Sequence, residues 1–172
     1  MKRIAPQVKR TVLIVVEGEN DHGFVTYLKK LYLNTSTTRL KTVIGYGGSA
    51  THLINKTIRE SRDKAFDTKV LLLDADFKDL PKAKARAKKN KITIFTSEPC
   101  CLECLLLDLL EQKPKQIKKC DDCKSALKKL LNRKDNSCLT QQELGRHFPK
   151  KILDGQRPTI GMLDQLIGLM ET

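Results

Sequence analysis

The chain opens its first half with short apolar runs that show no alternation. TVLIVV (11–16), LKTVI (40–44), KVLLL (69–73) and KITIF (91–95) are almost continuously hydrophobic. A strand with one wet face alternates apolar and polar residues, so these runs predict strands buried on both faces. Between them the period changes. Phe24, Leu28 and Leu31 recur at helical spacing within 21–33, and Leu53, Ile54 and Ile58 do so within 49–61. Segment 81–91 starts with Pro81, which a first helical turn tolerates, and places Ala83 and Ala87 on one face. Strands alternating with helices predict an α/β fold: a four-stranded, mostly parallel sheet flanked by helices.

After the fourth strand the period stays helical. CLECLLLDLLEQ (101–112), KSALKKLLNR (124–133), TQQELGRHF (140–148) and TIGMLDQLIGLM (159–170) all read as helices, with RKDNS (133–137) as a loop. The expected organisation is an α/β core over residues 1–112 and an α-helical extension over 113–172. At 172 residues the two are expected to pack as one compact domain.

Charge narrows the partner. With 33 Lys plus Arg against 20 Asp plus Glu, the net charge of +13 points to a polyanion, nucleic acid first. A membrane surface is disfavoured, because there is no Trp and the basic residues are spread along the whole chain. No run approaches the ~18–20 apolar residues of a membrane span. MKRIAPQVKR at the start lacks the apolar region of a signal peptide, so a cytoplasmic protein is expected. There the six cysteines are expected to be reduced, as buried small apolar residues or metal ligands rather than a disulfide framework.

Against this basic background, acids stand at the strand exits. Glu17 follows the first run, and Asp74 and Asp76 follow the third, on one side of an extended chain. Parallel sheets bind ligands beyond the carboxyl ends of their strands. If strands one and three are neighbours, three carboxylates converge there, and a hard divalent cation relieves their repulsion. Oxygen-only ligands favour Mg²⁺ or Mn²⁺ over Zn²⁺. Such a metal on a basic chain suggests phosphodiester chemistry, with Glu17 able to move a proton. The plainer reading makes these polar residues helix caps: Asn20 or Asp21 for the 21–33 helix, Asp79 for the 81–90 helix, with Glu19 facing solvent.

The stretches TVLIVVEGENDHGFVTYLKKLY, YGGSATHLI and KVLLLDADF together resemble the Toprim domain, in which a glutamate follows the first strand and a DxD pair the third. ITIFTSEPCCLECLLLDLL is similar to the strand, Pro-Cys turn and glutamate-bearing helix of RloB-like Toprim proteins. The resemblance covers about residues 11–112 and implies a Mg²⁺-dependent nuclease with Rossmann-like topology. It would make Glu17 the acid/base or metal-linked glutamate, Asp74 and Asp76 metal ligands, and Glu103 an additional acid at the site. It also implies a place in bacterial anti-phage defence, often beside an ATPase partner. Cys104 and Leu105 stand where the pattern has an aromatic, and the spacing from Pro99 to Glu103 is one residue longer than in the pattern, which leaves Glu98 as a competitor. The glycine that follows DxD in topoisomerase- and primase-type members is missing from DADFKDLPK, and strand passage or priming needs further domains. A small RNA-processing ribonuclease and a non-catalytic nucleic-acid-binding or regulatory subunit remain as alternatives, and DNA and RNA are not separated.

Further features carry two readings each. Cys101, Cys104, Cys120 and Cys123 have the C-x2-C-x15-C-x2-C spacing of a structural Zn²⁺ site. The apolar helix around the first pair favours plain buried thiols instead, and Cys100 and Cys138 fit neither account. GYGGS (45–49) offers its amides to a phosphate or, more simply, makes a tight turn, and His22 is read as a helix-start residue rather than a proton relay. Lys78, Lys82, Lys84, Arg86, Lys88 and Lys89 are the candidates for nucleic-acid backbone contacts, against a merely solvated helix face. Tyr27, Tyr32 and Tyr46 are read as core or strand-flanking residues, not an RNA-stacking signature.

Overall fold

The computed structural model describes residues 9–112, 120–135 and 137–172. Its order is β1 (Arg10–Val16), α1 (Glu19–Tyr32), β2 (Thr38–Ile44), α2 (Ala50–Glu60), β3 (Thr68–Asp74), α3 (Leu80–Lys89), β4 (Thr93–Ser97) and α4 (Leu102–Leu109). Then come α5 (Cys120–Leu130), α6 (Gln141–His147), α7 (Lys150–Gln156) and α8 (Gly161–Glu171). All strand pairings are parallel, in the order β2-β1-β3-β4, so the fold is Rossmann-like α/β.

The unbroken apolar strands acquire two dry faces. Leu13 and Val15 of β1, with Leu71 and Leu73 of β3, pack against α2 and α3. Val12, Ile14, Val16, Val70 and Leu72 point the other way into a larger cluster shared with α1, α4 and the C-terminal helices. Two tyrosines of α1 fasten that extension to the core: Tyr27 Oη donates to the Phe148 carbonyl at 2.9 Å, and Tyr32 Oη to Asp154 at 2.8 Å. The expected boundary at 112/113 borders residues outside the described ones, and the helices beyond it share one apolar core with the sheet. Among the described residues, no helix is long and apolar enough to cross a membrane.

The boundaries depart from expectation where local hydrogen bonds compete with the ladder. The fourth strand was expected over 91–95 and runs from Thr93 to Ser97. Residues 90–92 instead close the end of α3: Lys91 turns at φ 54°, and Ile92 N donates to the Ala87 carbonyl at 3.0 Å. Helix α7 was not expected, because KKILDGQ offers only Ile152 and Leu153 as an apolar period. Residues 133–135 and 137 are non-helical as expected, and Asn136 lies outside the described residues.

The capping expectations are also redistributed. Gly18 occupies the N-cap position of α1, so Asn20 and Asp21 lie inside its first turn. Asp79 sits at the head of α3 but makes no cap bond there. Its carboxylate accepts from Ala50 N at 3.1 Å, Thr51 N at 2.9 Å and Thr51 Oγ1 at 2.8 Å, and so caps α2. These bonds hold the Asp79 carboxyl below the ordinary range. Asp79→Ala should therefore lower the melting temperature by roughly 2–4 °C, read by circular dichroism, while Asp79→Asn retains part of the cap.

Candidate active site

The strand order reverses at β1 and β3: the chain leaves β1 outward to β2, then returns to the opposite side of β1. Loops from neighbouring strands diverge at such a point and leave a crevice beyond the carboxyl ends. Glu17 stands one residue past β1, and Asp74 is the last residue of β3. The Glu17 carbonyl accepts from Tyr46 N at 3.1 Å and Gly47 N at 3.3 Å, which fixes the strand exit against the loop after β2.

A cleft of about 650 Å³ opens here, and Glu17, Asp21, Asp74 and Glu103 line it together. Asp21 comes from the first turn of α1, where its carboxylate accepts from Gly18 N at 3.2 Å. Glu103 comes from the first turn of α4 and accepts from Asn20 Nδ2 at 3.2 Å, while Asn20 Oδ1 accepts from Leu139 N at 3.0 Å. Asn20 thus ties three segments around the acids.

Crowding and burial resist full ionisation. Burial, then the charges of Asp21, Glu17, Glu103 and Asp76, push the Asp74 carboxyl up to about 8. Burial is also the main cause that lifts Asp21 to about 7, opposed by its Gly18 bond and helped by Glu103 and Glu17. Glu17 is raised by burial and by Asp76 and Glu103, with Lys124 pulling the other way. Its Oε2 is buried and has no hydrogen-bond partner. Hard oxygen donors, mutual repulsion and an orphaned carboxylate oxygen suit a divalent cation such as Mg²⁺ or Mn²⁺ in kind, although among the described residues the groups whose ligand atoms lie within 4.8 Å of one another are cysteines and not these acids.

Glu17, Asp74 and Glu103 line one cleft. Asp76 is exposed, is not among the residues lining that cleft, and accepts from Cys120 Sγ at 3.2 Å. The competitor Glu98 is exposed and lines a separate hollow with Pro99, Leu105 and Asp108. Glu19 is exposed and lines the cleft, whereas His22 is not among its lining residues. Asp21 was read only as a cap, and its burial against Asp74 is a tertiary fact that no local pattern carries.

The cations divide between two places. Lys78, Lys82, Lys84, Arg86, Lys88 and Lys89 are all exposed, but none of them lines the cleft. All but Lys78 lie on α3, which packs on the other layer with α2 and runs away from the acidic rim. Lys124, Lys128 and Arg133 line the cleft instead. Burial works against the Lys124 charge, yet Glu103, Cys101, Asp74 and Asp121 hold its pKa above the ordinary lysine value. Arg133 is engaged structurally, 3.2 Å from Glu143 and 3.6 Å from Asp135. The i, i+4 spacing of Lys124 and Lys128 on α5 was the available signal for the first two.

The GYGGS segment is a tight turn: Tyr46, Gly47 and Gly48 have φ of 63°, 75° and 99°. A Cβ at Gly48 would come within 3.1 Å of the His52 ring. The α2 amides are already taken by Asp79 and by Ser49 Oγ, which accepts from His52 N at 3.1 Å, so no phosphate cradle stands open there. Tyr27 and Tyr32 are buried, whereas Tyr46 is 75% exposed at the flank of β2.

The cysteine expectations need correction twice. Cys104 and Cys123 are joined by a disulfide, because packing of α4 on α5 brings their Cα atoms to 5.1 Å. Cys100, expected to lack a partner, lies among the other sulfurs. No family model, curated protein or solved structure matches the chain.

Proposed function

We propose that the chain is a Toprim-type, Mg²⁺- or Mn²⁺-dependent nuclease that hydrolyses nucleic-acid phosphodiester bonds, with Glu17, Asp74 and Asp76 as the metal-holding acids. The observation that carries this reading is the gathering of Glu17, Asp21, Asp74 and Glu103 in one cleft at the switch point of the sheet, two of them raised to near-neutral pKa. The bound cation would polarise a phosphoryl oxygen and offset charge on the departing one. Glu17, whose carboxyl is raised and whose Oε2 is unsatisfied, takes or returns a proton at the attacking or leaving oxygen. Asn20 holds the Glu103 carboxylate in place, and Lys124 offsets charge on the substrate side of the cleft.

The RloB-like sequence resemblance supports a cytoplasmic role in bacterial anti-phage defence, with an ATPase as partner protein. The direct test incubates the purified chain with DNA and with RNA, in Mg²⁺, Mn²⁺ or EDTA. Metal-dependent cutting of either polymer is expected, and its absence from every arm would remove the hydrolytic reading.

A second reading, a basic nucleic-acid binder or regulatory subunit, is favoured by the exposed cationic surface of α3. Each lost phosphate contact flattens the dependence of log K on log[salt] by ~0.7–0.9. Changing Lys82, Lys84, Arg86, Lys88 and Lys89 together to Gln should flatten that slope by about 2–4 in a fluorescence-anisotropy titration. An unchanged slope would make α3 a solvated face and move the backbone track to Lys124 and Lys128.

A further inference from the structure

A dense sulfur nest lies beside the acidic cleft and plays no part in the hydrolytic reading. The Sγ atoms of Cys100, Cys101 and Cys120 all lie within 4.8 Å of one another, as do those of Cys100, Cys104 and Cys123. Cys100 belongs to both sets and is the hub. Its Sγ is 3.0 Å from that of Cys104 and 3.9 Å from that of Cys101, and Cys101 and Cys104 are 3.6 Å apart. A tetrahedral zinc with Zn–S bonds of about 2.3 Å has sulfur–sulfur edges of about 3.8 Å. The triangle of Cys100, Cys101 and Cys104 approximates three of those edges, and Cys120 lies within 4.8 Å of Cys100 and Cys101, so closing the fourth corner on Cys104 takes a small shift of Cys120 once the disulfide is open.

Cys101 is the N-cap of α4 and Cys104 lies in its first turn, and Cys120 comes from α5. Burial raises the Cys100, Cys101 and Cys120 thiols above their ordinary value, so they stay protonated until a metal displaces the protons. Cys101, Cys104 and Cys123 are fully buried and Cys100 and Cys120 partly so, with Leu102, Leu105 and Leu127 buried in the same apolar cluster. A cluster of soft donors that excludes water is the setting of a structural thiolate site, whereas Mg²⁺ takes oxygen.

We propose that, once the Cys104–Cys123 bond is reduced, Cys100, Cys101, Cys104 and Cys120 bind one tetrahedral Zn²⁺ that staples the start of α4 to the start of α5. A dithiol supplies the two electrons and two protons that open the S–S bond and leaves as its own disulfide. Metal binding then displaces the four thiol protons to solvent. The ion lies behind Glu103 and Lys124, on the same two helices, and fixes the wall of the cleft without touching substrate. The inference does not depend on the nuclease reading.

The full chain, expressed with zinc and purified under reductant, should carry about one Zn²⁺ by elemental analysis. Cobalt exchanged into the protein should give thiolate charge-transfer absorption and the intense visible bands of a tetrahedral site, in wild type and in Glu17→Gln alike. Cys123→Ser should keep both signals; Cys100→Ser and Cys120→Ser should lose them. A reduced wild-type chain that is folded by circular dichroism yet takes up no zinc, or only the weak octahedral cobalt spectrum of oxygen ligands, overturns the proposal. Retention in Cys100→Ser with loss in Cys123→Ser overturns the ligand set in favour of two C-x2-C pairs. If a variant fails to fold, the wild-type stoichiometry and cobalt spectrum decide.

Discussion

Glu17→Gln should reduce metal-dependent cleavage by about 10³-fold, within the range for removal of a general acid or base. The substitution keeps the shape of the side chain and removes only its charge and its titration, so the β1 exit and its bonds to Tyr46 and Gly47 should persist. One like charge leaves a cluster in which Glu17 raises the Asp74 carboxyl, so the metal-free variant should be at least as stable as the parent at neutral pH. That separates a catalytic loss from a folding defect. The two roles open to Glu17 also separate. Loss of a ligand raises the Mg²⁺ concentration needed for half-maximal rate, whereas loss of a proton carrier lowers kcat at saturating metal and flattens the pH–rate profile. Undiminished cutting by Glu17→Gln would place the chemistry elsewhere in the chain.

The strands that position Glu17 and Asp74 are legible because β1 and β3 are buried on both faces, and burial on both faces suppresses alternation. Their carboxyl-end acids follow directly from that reading. Asp21 escapes it, since an acid in the first turn of a helix has the same local signature whether it caps or lines a cleft. Only the approach of Glu103 and Glu17 reveals its burial. Lys124 escapes for a related reason: it reaches the site through packing of α5 on α4, which has no short-range pattern. In the cysteines, counting C-x2-C pairs hides Cys100, which the bend ahead of α4 brings beside Cys104. Asp79 carries the opposite lesson. Its position at the head of α3 is legible, but its carboxylate serves α2, and that choice is made by the close packing of the two helices.

Without metal, the chain should lose stability as pH rises from about 4 towards 8, and divalent cations should reverse the trend. Asp74 titrates near 8 in the folded chain and Asp21 near 7, against ordinary values of 3.8 in each case. Between those limits the folded state holds protons that the unfolded state has released, so ∂ΔG/∂pH is negative. The contribution is fully present below about pH 4 and is lost as pH rises through the folded pKa values. Each unit of separation corresponds to about 1.4 kcal/mol, and after allowance for partial exposure the melting temperature in EDTA should fall by roughly 5–10 °C between pH 5 and pH 8. A cation replaces those protons as the neutralising charge, so Mg²⁺ or Mn²⁺ should raise the melting temperature more at pH 8 than at pH 5. Asp74→Asn removes the largest of these titrations and should flatten the EDTA profile while weakening the metal-induced gain. Scanning calorimetry across that pH range, with and without metal, reads both effects. A melting temperature that climbs from pH 5 to pH 8 in EDTA and ignores added metal would mean that the acids in the cleft do not share one charge problem, and the cation that ties Glu17 to Asp74 would lose its physical basis.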